Sequence, residues 1–314
     1  MVEPVDGIQR QYREALGLAL GQPRLWLGGL ILAVALTDSW RIVAGWGPAY
    51  LGERASKWFW GTDGFAIWKT AYFILIALAA FVMLKAVGYL GEMVLIRQVA
   101  GGTGRETPTF GGAFTLSRVR YLDFAITLIP WDALLVAMIY LPALVIAIWE
   151  RWDPGYDHIF LYILVFLLWF ILLVLVMVLA GITAMLACRS SLLEGRGPLE
   201  AWARGWGLFR ARAGECVVAW LQALVSDIAF IAVAWPLLAL VSWLLDMLVD
   251  PLGLAPLRWL LYLAVYAILV VGLIVMRTGV QCYKSSLWTM VFLKLRNVGG
   301  RLPAADADLR EGAV

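Results

Sequence analysis

Three aspartates recur at almost equal intervals within apolar stretches of this sequence. They are Asp38, Asp132 and Asp227, separated by 94 and 95 residues, and each is followed nine or ten residues later by a proline. An ionisable group inside a bilayer is costly, so such a residue is by default a functional candidate. Three carboxylates at one depth could hold a cation or relay protons, with Lys85 as a partly neutralising partner.

The depth of the aspartates follows from their distance to the flanking arginines, at about 1.5 Å per helical residue. Asp132 lies twelve residues after Arg120 and Asp227 fifteen after Arg212, which predicts positions near mid-membrane. A structural interpretation is favoured over a transport site, because duplication preserves fold features whether or not they act. In it, each carboxylate bonds backbone groups freed by the proline, pairs with Lys85, or is protonated because burial disfavours its charge.

Composition places the chain in a membrane. Hydrophobic residues make up 63% of the 314 residues and charged residues 15%, and the mean hydropathy is +0.84. A soluble domain is about half apolar and a quarter charged. The seventeen tryptophans agree, since indole prefers the headgroup level.

Six apolar stretches are long enough to cross a bilayer, which takes about 20 residues. They lie at 25–46, 66–96, 121–149, 158–188, 214–245 and 257–283. Seventeen Lys and Arg fall in the terminal segments and in alternate loops, against four in the other loops. The positive-inside rule therefore predicts that both termini are cytoplasmic.

The spans form a threefold repeat. The second, fourth and sixth stretches each end in a base, namely Arg97, Arg189 and Lys284, and the last two bases lie in related strings, CRSSL and CYKSSL. A fixed period indicates a duplicated unit. We predict an all-α integral membrane domain over 1–298, built as three pseudo-repeated hairpins (1–97, 98–192 and 193–298) around an axis along the membrane normal. Residues 299–314 are predicted to be a disordered cytoplasmic tail.

Segments between the hairpins are predicted to be amphipathic helices on the cytoplasmic leaflet. The clearest is 198–212, in which Leu199, Trp202, Trp206 and Phe209 share one face. Segments 6–20, 108–119 and 286–297 occupy related places. Basic residues near this level are candidate contacts for anionic lipid headgroups: Arg97, Arg189, Lys284, Arg204, Arg210 and Arg212.

The run LLEGRGPLEAWARGWGLFRAR at 192–212 resembles a pattern in uncharacterised prokaryotic polytopic membrane proteins. These are similar to the membrane domain that accompanies some glycerophosphodiester phosphodiesterases. The resemblance implies the fold and a prokaryotic plasma membrane. It does not imply phosphodiesterase activity, because the catalytic barrel of those enzymes has no counterpart in this sequence.

No nucleophile–base arrangement, P-loop or metal-ligand spacing is present in the sequence, so we expect no catalytic residues, metal or cofactor and no nucleic-acid partner. The favoured function is a non-catalytic membrane protein that acts as a scaffold, an assembly factor or an organiser of lipids and other membrane subunits. The alternative is a small-solute, ion or proton transporter or channel that uses the aspartate level.

Overall fold

The computed structural model describes residues 4–35, 67–102, 108–134, 159–249 and 255–298, and these residues are almost entirely helical. The first helices are α1 (Pro4–Gly21) and α2 (Pro23–Ala35), followed by α3 (Ile67–Gly102), α4 (Phe110–Arg118) and α5 (121–134). The later ones are α6 (Ile159–Arg189), α7 (Pro198–Ala211), α8 (Ala213–Val249) and α9 (Ala255–Val298). A five-residue π turn, Ser190–Glu194, extends α6.

Three helical stretches within the described residues are long and apolar enough to cross a membrane. They are Ile163–Glu194, Ala213–Leu245 and Leu260–Asn297. A fourth candidate is a bent pair, Arg13–Gly21 with Pro23–Ala35, whose axes differ by 92°. These apolar helices identify a membrane protein.

The chain divides into two compact units. Unit 1 contains residues 1–125 and 221–287, and unit 2 contains residues 126–220 and 288–314.

In unit 1, helix α2 packs closely against α3 and α9 through glycines. A Cβ on Gly28 would lie 3.1 Å from the Leu95 side chain, and one on Gly91 would lie 3.0 Å from the Gly28 carbonyl oxygen. A Cβ on Gly29 would collide with the Cys282 sulfur. The absence of side chains at these positions therefore allows three helices to approach one another closely.

In unit 2, the chain leaves α6 through the π turn and returns as α7 along the end of the same helix. Gly195, with φ of 72°, ends the π turn in the left-handed conformation. Pro198 then begins α7, as a proline at the first helical position does readily. A Cβ on Gly205 would lie 2.8 Å from the Thr183 carbonyl oxygen, so the backbones of α6 and α7 are in contact.

Helices begin or end close to several predicted boundaries. The predicted stretches 158–188 and 214–245 correspond to α6 and α8, and the predicted surface segments 6–20, 108–119 and 198–212 correspond to α1, α4 and α7. The separate surface segment predicted at 286–297 is wrong, because α9 continues as one helix to Val298. Residues 36–46 and 135–149 of two predicted spans lie outside the described residues.

Candidate functional site

The charged centre of unit 1 is a carboxylate held between two cations of α9. Asp227 of α8 accepts a hydrogen bond at Oδ1 from Arg277 Nη1 at 2.7 Å and one at Oδ2 from Lys284 Nζ at 2.6 Å. The two bases are seven residues apart, so they lie on one face of α9, two turns from each other. Both oxygens of the carboxylate are thus engaged with charged donors.

The Arg277 side chain is only 4% exposed, and its remaining donors also bond to protein. In the amide orientation that satisfies both residues, Gln281 Oε1 accepts from Nη2 and Nε at 3.0 and 3.1 Å. The guanidinium carbon also lies 5.1 Å from the centre of the Phe230 ring, within the range of a cation–π contact. Every nitrogen of this guanidinium is therefore bonded or paired.

Two neighbouring residues of α9 make polar contacts with other helices of unit 1. Tyr283 donates its hydroxyl hydrogen to Gln222 Oε1 on α8 at 3.2 Å. Ser285 donates to Glu92 Oε1 on α3 at 3.2 Å. The segment from Arg277 to Ser285 therefore binds α9 to both α8 and α3, and side chains of opposite charge or complementary polarity meet there.

The structure describes the other residues of the predicted aspartate level in less detail. Lys85 lies in unit 1 and Asp132 in unit 2; both are half-buried and neither lacks an interaction partner. Asp38 lies outside the described residues. The ring of three aspartates, with Lys85 as partner, stays a prediction.

The predicted headgroup contacts fall into three environments, which are exposed, fully buried and partly buried. Arg210 and Arg212 are exposed, and Arg212 pairs with Glu215 at 2.8 Å. Arg189 is fully buried in unit 2, where its Nε donates to Thr289 Oγ1 at 3.3 Å and its Nη1 to the Met185 carbonyl oxygen at 2.9 Å. Both of these Arg189 donors are therefore bonded to protein atoms.

The remaining predicted headgroup contacts are partly buried. Lys284 belongs to the Asp227 cluster described above. Arg97, at the end of α3, is half-buried, and burial lowers its pKa from the ordinary value, with a smaller contribution from the charge of Arg120. Arg204 of α7 lies beside Glu194, with its Nε 3.6 Å from Oε2.

Glu194, at the end of the π turn, organises a second charged cluster. Its Oε2 accepts hydrogen bonds from Ser190 Oγ at 3.0 Å and from Arg196 Nε at 2.8 Å, in addition to its ion pair with Arg204. Four residues around one bend of the chain are thereby joined through a single carboxylate oxygen. This arrangement fixes the direction in which the chain leaves α6 and enters α7.

The pairing of Asp227 with Arg277 and Lys284 was missed by sequence reasoning. A usable signal was present, because two cations seven residues apart in an apolar helix must face the same neighbour. The sequence pattern instead aligns Lys284 with Arg97 and Arg189, which predicts a base at the end of a span.

Among the described residues, no group of three or more His, Cys, Asp or Glu side chains is placed to hold a metal ion. Comparison with known proteins gives no matching family model, no matching curated protein and no matching solved structure. The likeness to the membrane domain that accompanies phosphodiesterases therefore stays a prediction.

Proposed function

We propose that this chain is a non-catalytic membrane protein that crosses a prokaryotic plasma membrane six times and organises lipids or partner subunits there. Three hairpins with cytoplasmic termini, each associated with a helix on the cytoplasmic leaflet, form its single membrane domain. The observation that carries the proposal is the Asp227 cluster. Its carboxylate is fully engaged by Arg277 and Lys284, as expected of a contact that fixes two helices rather than of a vacant ion site.

Close glycine contacts support the threefold repeat. In each of α3, α6 and α9, a glycine from another helix packs on the residues six and two positions before the base that marks the repeat. The glycines and the positions they contact are Gly28 on Gly91 and Leu95, Gly205 on Thr183 and Ala187, and Gly29 on Thr278 and Cys282. Repeated packing positions are what a duplicated hairpin is expected to retain.

Burial along the short helices supports their place at the membrane surface. Each buries small residues against the protein and exposes larger apolar ones, although α7 also buries Leu208 and Phe209. The buried and exposed residues are Ala15 and Ala19 against Leu16 and Leu20 in α1, Ala113 and Ser117 against Phe114 and Leu116 in α4, and Ala201 and Gly205 against Leu199 and Trp206 in α7. An exposed apolar edge beside polar residues suits the boundary between headgroups and acyl chains.

The outer part of α6 supports a lipid or protein environment around the spans. Large apolar residues from Ile163 to Leu175 are exposed on several sides of the helix. Such a surface is unfavourable in water, where a contiguous apolar patch of this kind indicates a membrane or a partner.

The proposal is tested by separating folding from flux at Asp227. We expect Asp227→Asn to lower the unfolding free energy by about 2–3 kcal/mol, because it removes the charge shared by the buried Arg277 and the partly buried Lys284. In proteoliposomes, wild type and variant should both give the ion and proton leak of empty vesicles. Glu200→Gln, which removes an exposed acid of α7, is the matched control and should change neither measurement.

Flux through the wild type that disappears in a stably folded Asp227→Asn protein would establish the transport alternative instead. Topology is tested independently by reporter fusions after residues 107, 197 and 314, which are predicted to be cytoplasmic, and after residues 61, 154 and 251, which are predicted to be outside. A reporter with the opposite activity at either set would overturn the six-span arrangement.

A further inference from the structure

The ends of two candidate spans meet at one carboxylate in unit 2. Glu215, the third residue of α8, accepts a hydrogen bond at Oε1 from Arg212 Nη1 at 2.8 Å, and its Oε2 lies 3.0 Å from Lys294 Nζ near the end of α9. The candidate span Ala213–Leu245 begins at this point, and Leu260–Asn297 ends there. We define these three charged residues as the span-end cluster, and their contacts bring the two helix ends to the same level.

The span-end cluster contains two cations and one acid, so its net charge is positive. Glu215 is the only acid of the sequence stretches 210–220 and 290–298. The one acid of α7, Glu200, precedes Arg212 by twelve residues, which is about 18 Å along a helix. One negative charge supplied by a ligand would therefore neutralise the cluster.

Both cations of the cluster are accessible to such a ligand. The Arg212 side chain is 48% exposed and the Lys294 side chain is 33% exposed. A guanidinium has five N–H donors and an ammonium has three, so the contacts with Glu215 leave donors on each. Because both groups bind the same carboxylate, they lie close together, and one phosphate can contact both.

The position of the cluster in the chain favours a phosphate that belongs to a lipid. Arg212 directly follows α7, which exposes Leu199 and Trp206 along one edge. An exposed apolar edge on a helix of this kind suits the boundary between acyl chains and headgroups. The residues that follow α7 therefore lie near the level of the lipid phosphates, where basic side chains attract anionic headgroups.

We propose that the span-end cluster is a binding site for the phosphate of one anionic phospholipid. The phosphate contacts Arg212 and Lys294 and neutralises the positive charge that Glu215 leaves uncompensated. This inference rests on the proposed membrane function and adds to it a lipid class and a site.

The test uses the full-length protein in detergent and native mass spectrometry, with titration of phosphatidylglycerol or phosphatidylcholine. We expect one phosphatidylglycerol to bind saturably and in preference to phosphatidylcholine. Arg212→Gln combined with Lys294→Gln should weaken that binding by about tenfold or more, because both contacts of a cation with the phosphate are lost.

Arg296→Gln is the matched control, because it removes a cation of α9 that lies about 200° around the helix from Lys294. At about 0.1 M salt, where distant charges are screened, it should change the affinity by less than about twofold. Arg212→Lys combined with Lys294→Arg guards against misfolding, since it keeps both charges and should keep the preference for phosphatidylglycerol.

Glu215→Gln should have the opposite effect to the cation variants. It removes the carboxylate that competes with the phosphate for Arg212 and Lys294, so we expect phosphatidylglycerol to bind more tightly. Unchanged or weaker binding in this variant would contradict a site governed by these two cations.

Equal binding of phosphatidylglycerol by the wild type and the double glutamine variant would overturn the inference, as would an equal loss in Arg296→Gln, which would indicate general surface charge. Displacement of the lipid by millimolar inorganic phosphate would establish a phosphate-ion site instead. Failure of the proposed membrane function has a different signature. A protein that alkaline carbonate extracts from the membrane fraction would contradict the membrane assignment, whereas one that remains there without saturable lipid binding would contradict only the span-end site.

Discussion

The two serine motifs that the predicted repeat aligns, 188–192 in unit 2 and 282–287 in unit 1, have related sequences but different local structures. In unit 2 the motif enters a π turn that ends at Gly195. In unit 1 it lies inside a continuous helix that ends at Val298. In both, a glycine nevertheless packs on a threonine and a small residue that lie six and two positions before the base, namely Gly205 on Thr183 and Ala187 and Gly29 on Thr278 and Cys282.

The base of the motif has a different role in each copy. Arg189 is fully buried and bonds to Thr289 and to a carbonyl of its own helix, whereas the Lys284 side chain is 23% exposed and pairs with Asp227. The packing position is thus common to both copies and the charge partner is not. Packing depends on the spacing of small residues along a helix, whereas a charge partner depends on which helix lies opposite.

The largest expected effect is a difference in unfolding free energy between variants of the two bases, Arg189 and Lys284. Arg189→Ala removes one of the largest fully buried side chains of the described residues, so we expect it to lower the unfolding free energy by about 3 kcal/mol or more. Lys284→Ala should cost about 1–2 kcal/mol, because Asp227 keeps Arg277 as its partner. Unfolding in mixed detergent micelles measures both values.

Arg210→Ala, on the exposed side of α7, is the control for loss of one cation and should stay within about 0.5 kcal/mol of the wild type. Equal losses for Arg189→Ala and Lys284→Ala would contradict the assignment of different roles to the two bases.

The two packing glycines should give the next largest effects. Gly205→Ala places its Cβ 2.8–2.9 Å from backbone atoms of Thr183 and Ala187, and we expect a loss of about 1–3 kcal/mol in unfolding free energy. Gly207, on the same helix, has nothing within 4 Å of an added Cβ. Gly207→Ala should therefore be neutral or should stabilise the helix by up to about 1 kcal/mol.

Gly29→Ala should destabilise unit 1 by a similar amount, but for a different reason. Its new Cβ meets the Cys282 sulfur, which is a side-chain atom, in addition to Thr278 atoms at 3.1 and 3.2 Å. Adding Cys282→Ala should restore part of the loss, whereas adding Thr183→Ala to Gly205→Ala should restore little because the α6 backbone remains. Double-mutant cycles measure this difference. Equal recovery of the unfolding free energy in the two pairs would contradict the distinction between a side-chain contact at Gly29 and a backbone contact at Gly205.

Much of the helical arrangement could be predicted from the sequence, because the length of an apolar segment and the residues that end a helix indicate the same boundaries. The end of α6 and the start of α7 are marked by Gly195, Gly197 and Pro198, which favour a break in a helix and a new start. The prediction failed at 286–297, where the corresponding positions hold Met290 and Phe292 and no glycine or proline interrupts the helix until Gly299. The absence of a local stop signal is therefore a better guide to the end of α9 than alignment with the other predicted repeats.

The charge pairs were harder to predict, since they depend on which helices become neighbours. Asp227 was expected to bond near Pro236 or to pair with Lys85, yet its partners lie 50 and 57 residues along the chain. The seven-residue spacing of Arg277 and Lys284 puts both on one face of α9, but spacing alone does not indicate that α8 lies opposite. Which helices become neighbours depends on close contacts such as those of Gly28 and Gly29. Hydropathy does not distinguish these glycines from other small residues.

The smallest expected effect tests why only one copy of the motif ends its helix. Gly195 has φ of 72°, a conformation that costs a residue with a Cβ roughly 1 kcal/mol, so Gly195→Ala should lower the unfolding free energy by about that amount. Gly197 has φ of −63° and open space around an added Cβ, so Gly197→Ala should be close to neutral. The same micelle titration measures both. A neutral Gly195→Ala would mean that Pro198, rather than the left-handed turn, determines where α6 ends, and the difference between the two copies would then depend on the proline alone.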